Sequence, residues 1–315
     1  MAKWVKISTI GMEQYSTKET LTTRQSLEKV KEYIRSQIRQ VLPDQPDLIV
    51  LPEWCDIPQS HTGSQELRSE FVKERGSEVR ELLAAIAREN NCYITYPTLI
   101  EAEDGTYRNT MQLIDRSGEI AGFYNKNHAV IIEVEENILC GKDANVIECD
   151  FGRVACAICF DLNFDPIRLK YVEAKPDIIL FPSMYHGGIM QSYWAYSCRS
   201  YFVGAVPRHP SAILNPLGDI VATSTNYFNF VTAKVNLDYV TAHLGYNFEK
   251  IAAMREKYGP KVNVYDPGNL GPVLITSESD EITALEMTQA FEIELLDDYF
   301  ARSLACQADP ANIEK

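Results

Sequence analysis

Three reactive side chains end three apolar runs of this chain. Glu53 follows Leu48-Ile49-Val50-Leu51-Pro52, Lys126 follows Gly122-Phe123-Tyr124-Asn125, and Cys159 closes Val154-Ala155-Cys156-Ala157-Ile158. A carboxylate, an ammonium and a thiol are the parts needed to break an acyl carbon–nitrogen bond through a covalent thioester. A free thiol is only a few per cent thiolate at neutral pH, so a nucleophilic cysteine requires a base or a nearby cation. In this reading Glu53 takes the proton of Cys159 and later activates the deacylating water. Lys126 then donates hydrogen bonds to the oxyanion, a contribution whose loss typically costs ~3–4 kcal/mol. Each group is expected at the carboxyl end of a strand, where open α/β sheets place their ligands.

Taken singly, each residue has a plainer reading. Glu53 and Lys126 would be solvated charges at strand ends, and a lone Cys159 would be inert core, cysteine being among the most buried residue types. Cys156 and Cys159 form a Cys-x-x-Cys pair, which elsewhere means redox chemistry or half a zinc site. Positions three apart on a strand point to opposite faces, however, and no second pair stands at zinc spacing. A Cys-His hydrolase using His128 or His186 is chemically available but weaker, and His128 is read instead as a polar support for the Lys126 loop.

The elements that must position these groups come next. Residues 3–11 alternate as a strand, and Thr22 to Val41 form an amphipathic helix with Leu27, Val30, Ile34 and Ile38 at three- and four-residue spacing. Strands are expected at Asp47–Pro52 and Cys92–Ile100, around a helix that Ser77 would cap. Asp104-Gly105 and Ser117-Gly118 then mark turns between antiparallel stretches at 106–115 and 119–125. Residues 145–149 and 153–159 read as a hairpin delivering Cys159, followed by a helix at 165–175 and a strand at 177–182. A helix from Gln191 to Gly204 and strands at 211–214, 219–224 and 230–237 complete an α/β body of mixed sheets. No repeat or flexible linker interrupts the chain before about residue 245, so 1–245 is expected as one domain. Residues 246–315 read as an extension: a loop at 265–272, then an acidic helix at 280–303.

Composition narrows the partners. Thirty Lys and Arg against 44 Asp and Glu give a net charge of −14, which argues against nucleic acid or an anionic membrane as partner. The first residues lack the features of a secretory signal, and no apolar run approaches the ~20 residues of a membrane span. Eight scattered cysteines in a chain this long read as reduced thiols, so a cytoplasmic location is expected.

Leu51-Pro52-Glu53, Tyr124-Asn125-Lys126-Asn127-His128 and Gly152-Arg153-Val154 through Cys159-Phe160-Asp161 resemble, in order, the three motifs of the nitrilase superfamily. These are the carbon–nitrogen hydrolases built on a Glu-Lys-Cys triad. The resemblance spans residues 4 to about 240, and its implied fold is a four-layer α-β-β-α sandwich of two mixed sheets. It implies a second glutamate five to seven residues before a glycine, which selects Glu136, five before Gly141, with Glu133 in reserve. It also implies no metal or organic cofactor, and a homodimer or larger homo-oligomer.

Cys159-Phe160-Asp161 looks like the Cys-x-Asp of amidases rather than the Cys-Trp-Glu of nitrile hydrolases. A small-molecule amide is therefore the expected substrate, with N-carbamoyl amines and nitriles as alternatives and a catalytically silent binding or assembly protein as the non-enzymatic one. Asn163, four after the cysteine, matches where aliphatic amidases place Asn and omega-amidases an Arg. A neutral acyl group follows. Tyr185, His186 and Trp194 fall where the resemblance puts pocket walls.

Overall fold

A computed structural model describes residues 1–314. The chain forms two compact units, one of residues 5–234 and the other of residues 1–4 with 235–315. The larger unit ends eleven residues before the expected 245, because Tyr239–His243 pairs with Pro272–Ser277 and so belongs with the C-terminal part.

The larger unit holds two six-stranded mixed sheets. Strands β1 (Trp4–Ile10), β2 (Leu48–Val50), β3 (Tyr93–Glu101), β4 (Tyr107–Ile114) and β5 (Ile120–Asn125) belong to the first. The second contains β6 (Ile147–Cys149), β7 (Gly152–Cys156), β8 (Ile178–Pro182), β9 (Tyr201–Ala205), β10 (Ala212–Leu214) and β11 (Ile220–Thr223). A final strand, β12 (Phe230–Asn236), returns to the first sheet and gives it the order β12-β1-β2-β3-β4-β5. In each sheet three consecutive strands are parallel, β1-β2-β3 and β7-β8-β9, and their outer neighbours β4 and β10 run antiparallel. The parallel strands are buried on both faces, which is why β2 and β8 are apolar throughout rather than alternating. Thr9 Oγ1 of β1 donates to the carbonyl of Gly204 in β9 at 2.8 Å, tying the inner faces of the sheets together.

Helices α1 (Thr23–Ile38), α2 (Gln65–Arg75) and α3 (Glu78–Asn90) precede β3 in the chain; α4 (Ile131–Glu135), α5 (Asp165–Ala174) and α6 (Ile189–Cys198) follow β5. The expected four-layer sandwich is the fold observed. Helix α1 begins in a capping box: Gln25 N donates to Thr22 Oγ1 and Thr22 N to Gln25 Oε1 at 3.0 Å. It buries Leu27, Val30, Ile34 and Ile38, each contributing about 1.5–3 kcal/mol relative to exposure.

Several elements differ from expectation. Ser77 makes no capping bond; its hydroxyl donates to Glu81. The helix expected over 191–204 stops at Cys198, where Arg199 turns left-handed at φ 55°, and Tyr201–Ala205 becomes β9. A short, fully buried apolar run has no periodicity to separate helix from strand.

In the smaller unit β13 (Tyr239–His243) and β14 (Val262–Tyr265) flank β15 (Pro272–Ser277), with α7 (Phe248–Tyr258) between β13 and β14. The single acidic helix expected over 280–303 is two, α8 (Ala284–Ala290) and α9 (Leu296–Ala308), because the chain reverses at Glu292 with φ 52°. No helix among the described residues is long and apolar enough to cross a membrane.

Candidate active site

Glu53 lies in the turn that leaves β2, three per cent exposed, and the next residue, Trp54, is left-handed at φ 51°. The turn is fixed to β3 where Cys55 N donates to the Pro97 carbonyl at 3.2 Å. Lys126 comes directly after β5. Its backbone N–H continues the β4–β5 ladder by donating to the Asn109 carbonyl at 2.8 Å, so the ammonium is carried on a rigid stem and buried. Cys159 is not on a strand, as the sequence pattern suggested. β7 ends at Cys156, and Cys159 is the first residue of a 3-10 helix, Cys159–Asn163, with φ 49°. Such a left-handed non-glycine residue costs of order 1–3 kcal/mol and persists only where its surroundings impose it. Here Asp161 imposes it by accepting the Ile158 N–H at 2.9 Å and donating its own N–H to the Ile158 carbonyl at 3.0 Å.

Around the ammonium a closed polar ring forms. Lys126 Nζ donates to Glu53 Oε1 at 3.0 Å and to Glu133 Oε2 at 2.9 Å. Asn109 Nδ2 donates to Glu53 Oε1 at 2.8 Å and to Glu133 Oε1 at 3.0 Å. Met184 N reaches the other oxygen of Glu53 at 3.1 Å, and Val130 N caps Glu133 Oε2 at 2.8 Å. The second glutamate of this ring is Glu133, not Glu136. Glu133 is buried on the inward side of α4, whereas Glu136 sits at the helix end and pairs with Arg68.

Electrostatics link the thiol to this ring. Burial and the Glu53 charge push the Cys159 thiol up to about 12, against the opposing pull of Lys126, the Met184 N–H and the Ser183 hydroxyl. Burial would lower the Lys126 ammonium, but Glu53, Cys159 and Glu133 together outweigh it and hold the proton more tightly than usual. The resting arrangement is therefore a protonated thiol beside a locked cation, and sulfur becomes nucleophilic only if a neighbour removes its proton. Glu53 is the carboxylate whose charge bears most strongly on that thiol.

The remaining expected residues separate. Asn163 Nδ2 donates to Tyr185 Oη at 3.1 Å, and the charges of Cys159 and Lys126 are felt at the Tyr185 hydroxyl, which places both residues beside the nucleophile. Trp194 is not a pocket wall: it is fully buried, donating Nε1 to the Leu162 carbonyl at 3.0 Å. The His186 ring accepts from Gly188 N at 3.1 Å and lies 6.0 Å from the His209 ring. His128 has the supporting place expected of it, its backbone N–H donating to Asp161 Oδ1 at 2.7 Å and its ring stacked on Phe164 at 4.0 Å. Asp161 thus straps the Lys126 loop to the Cys159 loop, also accepting from Tyr124 Oη at 2.8 Å.

Asn109, Ser183 and Met184 were not singled out from the sequence. Asn109 had a signal, because it shares the inward register of β4 with Tyr107, Met111 and Leu113, and a polar residue in an apolar register requires partners.

Relatives agree with this site's fold and family. The omega-amidase NIT2-A of Xenopus laevis is 21% identical over 64% of this chain and 81% of its own length. Nit3 of Saccharomyces cerevisiae, a member of branch 10 of the nitrilase superfamily, superposes with a TM-score of 0.61 over 85% of this chain and 97% of that one, at 16% identity. An amidase from Nesterenkonia sp. AN1, solved with acrylamide joined to its active site cysteine by Michael addition, gives 0.60 over 73% and 92%, at 15% identity. The carbon-nitrogen hydrolase family model matches residues 6–243, which contain all three motifs and both sheets. The chain therefore belongs to the carbon–nitrogen hydrolase family of the nitrilase superfamily, enzymes that hydrolyse carbon–nitrogen bonds other than peptide bonds.

Proposed function

We propose that the protein hydrolyses the amide of a small, uncharged acyl group through a thioester on Cys159. The observation that carries this reading is Lys126 held between Glu53 and Glu133 beside a protonated, half-buried thiol. Glu53 accepts the thiol proton as sulfur bonds to the carbonyl carbon, and the carbonyl electron pair moves to oxygen. Two of the three Lys126 N–H bonds are taken by carboxylates, which leaves the third for that oxyanion. Collapse breaks the C–N bond, and ammonia or an amine leaves with the proton carried by Glu53. Water then gives a proton to Glu53 and attacks the thioester, and the released sulfur recovers that proton.

The substrate reading rests on charge and surface. One ammonium between two carboxylates leaves the ring net negative, which disfavours a substrate carrying a free carboxylate. Ile132 and Val134, next to Glu133 in sequence, and Met184, whose N–H binds Glu53, are exposed apolar side chains. Asn163 and Tyr185 would supply the polar contacts. Eight free cysteines support a reducing cytosol, and exposed Leu169 on α5 and Ile189 and Tyr193 on α6 support a homo-oligomer.

The test is ammonia release together with intact mass on four substrates: an aliphatic amide, the same amide with a terminal carboxylate, an N-carbamoyl amine and a nitrile. Turnover of the uncharged amide, with an acyl adduct trapped in Glu133→Ala and none in Cys159→Ala, is expected. A preference for the carboxylate, carbamoyl or nitrile compound overturns the substrate reading, and turnover without any adduct at Cys159 overturns the mechanism.

A further inference from the structure

Lys126 brings one positive charge to a buried site that holds two carboxylates. Two like charges that share one cation in a buried site repel each other unless further donors hold them. The hydrogen-bond inventory identifies what does so. Each carboxylate accepts three donors: Glu53 from Lys126, Asn109 and Met184 N, and Glu133 from Lys126, Asn109 and Val130 N. Only Lys126 and Asn109 touch both, so the asparagine closes what the lysine opens.

Both N–H bonds of the Asn109 amide are spent on glutamates, and its Oδ1 is buried without a partner. The amide is thus oriented for the carboxylates at the expense of its own acceptor. The opposite orientation would set an oxygen against two anions. Its stem is as rigid as that of Lys126, because Asn109 lies inside β4 and its carbonyl accepts the Lys126 backbone N–H.

We infer that Asn109 is the positioning residue that braces Glu53 and Glu133 against each other and aims Glu53 at the thiol. This rests on the reading of Glu53 as the base. The charged and titratable groups facing Glu53 are Lys126, Glu133, Cys159 and the buried thiol of Cys156. Without the amide, each buried carboxylate loses one of its three donors, and Glu53 is no longer held toward sulfur.

The experiment is the pH dependence of kcat/KM and kcat on an uncharged amide for the wild type, Asn109→Leu, Asn109→Ser and Asn109→Asp, with Glu53→Gln and Cys159→Ala in parallel. In Asn109→Leu the acidic limb is expected to move up by about one pH unit, with kcat down roughly tenfold or more and KM within about threefold. Asn109→Ser, which keeps one donor, falls between that variant and the wild type, and Asn109→Asp, which adds a third carboxylate, moves the limb furthest. A purely structural role would lower the melting temperature or kcat while leaving the limb in place, and that result overturns the inference. If Asn109→Leu does not fold, the limb of Asn109→Ser decides. Should Glu53→Gln or Cys159→Ala keep wild-type turnover, it is the underlying reading that falls, which separates the two failures.

Discussion

Asp56 stands three residues after Glu53 in the same turn, and both carboxylates are buried against a cation. Asp56 accepts from Arg75 Nη1 at 2.9 Å, Tyr96 Oη at 2.6 Å and Thr98 Oγ1 at 2.7 Å. Tyr96 and Thr98 are alternate residues of β3 on the face that meets α2, while Glu53 is gripped by Asn109 from the inward face of β4. None of the Asp56 partners gives up a proton near neutral pH: arginine stays charged, and burial drives the Tyr96 hydroxyl well above its usual value. Glu53 instead faces the thiol of Cys159, which burial and the Glu53 charge hold protonated at rest but which stays partly exposed, within reach of a substrate. In the function proposed above, the pair at Glu53 differs from the pair at Asp56 in having a reachable thiol beside it.

The comparison breaks most decisively at sulfur. Cys159→Ala should lower amide turnover by at least about 10⁴-fold with no acyl adduct in intact mass, while its unfolding midpoint stays close to that of the wild type. Retained turnover would mean that the thiol is not what distinguishes Glu53 from Asp56.

Next in size is the structural pair. Arg75→Met leaves Asp56 buried with hydroxyl donors alone, and losing one partner of such a pair typically costs about 3–5 kcal/mol. Urea unfolding should show that loss, and the acidic limb of the turnover profile should not move. A limb that shifts with Arg75 would show the two carboxylates to be one network.

Which parts of this arrangement were legible beforehand follows from how each residue is held. Glu53 and Cys159 stood out because β2 and β7 before them are largely buried and read as continuous apolar runs that end in an unlike residue, whereas Lys126 follows β5, a largely exposed edge strand, and stood out by its motif. Helix α2 was invisible for the opposite reason, since its buried side includes Arg68 and Arg75, charges that spoil an apolar period. Asp56 was hidden with it, because its partner lies on that helix. The second glutamate was misassigned because counting back from Gly141 measures distance along the chain, whereas the ring is entered by whichever carboxylate lies on the inward side of α4. Glu133 does, and three residues later Glu136 has already left the helix.

Lys126→Met tests the cation. Turnover should fall about 10²–10³-fold through loss of oxyanion stabilisation. The thiol should respond in a defined direction: it stands near 12 with Lys126 already pulling it down, so removal of the lysine raises it further and less thiolate is present at any given pH. Iodoacetamide should then label Cys159 more slowly than in the wild type under mildly alkaline conditions. Faster labelling would mean that the lysine does not act on sulfur.

The smallest effect separates the two glutamates. Glu133→Gln keeps an oxygen for Lys126 but turns an N–H toward the Asn109 donors, so the ring opens and turnover should drop on the order of 10²-fold. Glu136→Gln removes the charge facing Arg68, whose guanidinium still donates to the Thr62 carbonyl and lies over the Trp54 ring at 5.6 Å. Because the Glu136 side chain is a quarter exposed, water replaces part of what is lost, and the cost should be about 1 kcal/mol of stability. Its kcat/KM should stay within about threefold of the wild type, with KM and kcat moving little. If Glu136→Gln instead matched Glu133→Gln, the Arg68 contact would be holding Trp54 and with it the left-handed turn that aims Glu53, and the outer pair would count as part of the catalytic side of the comparison.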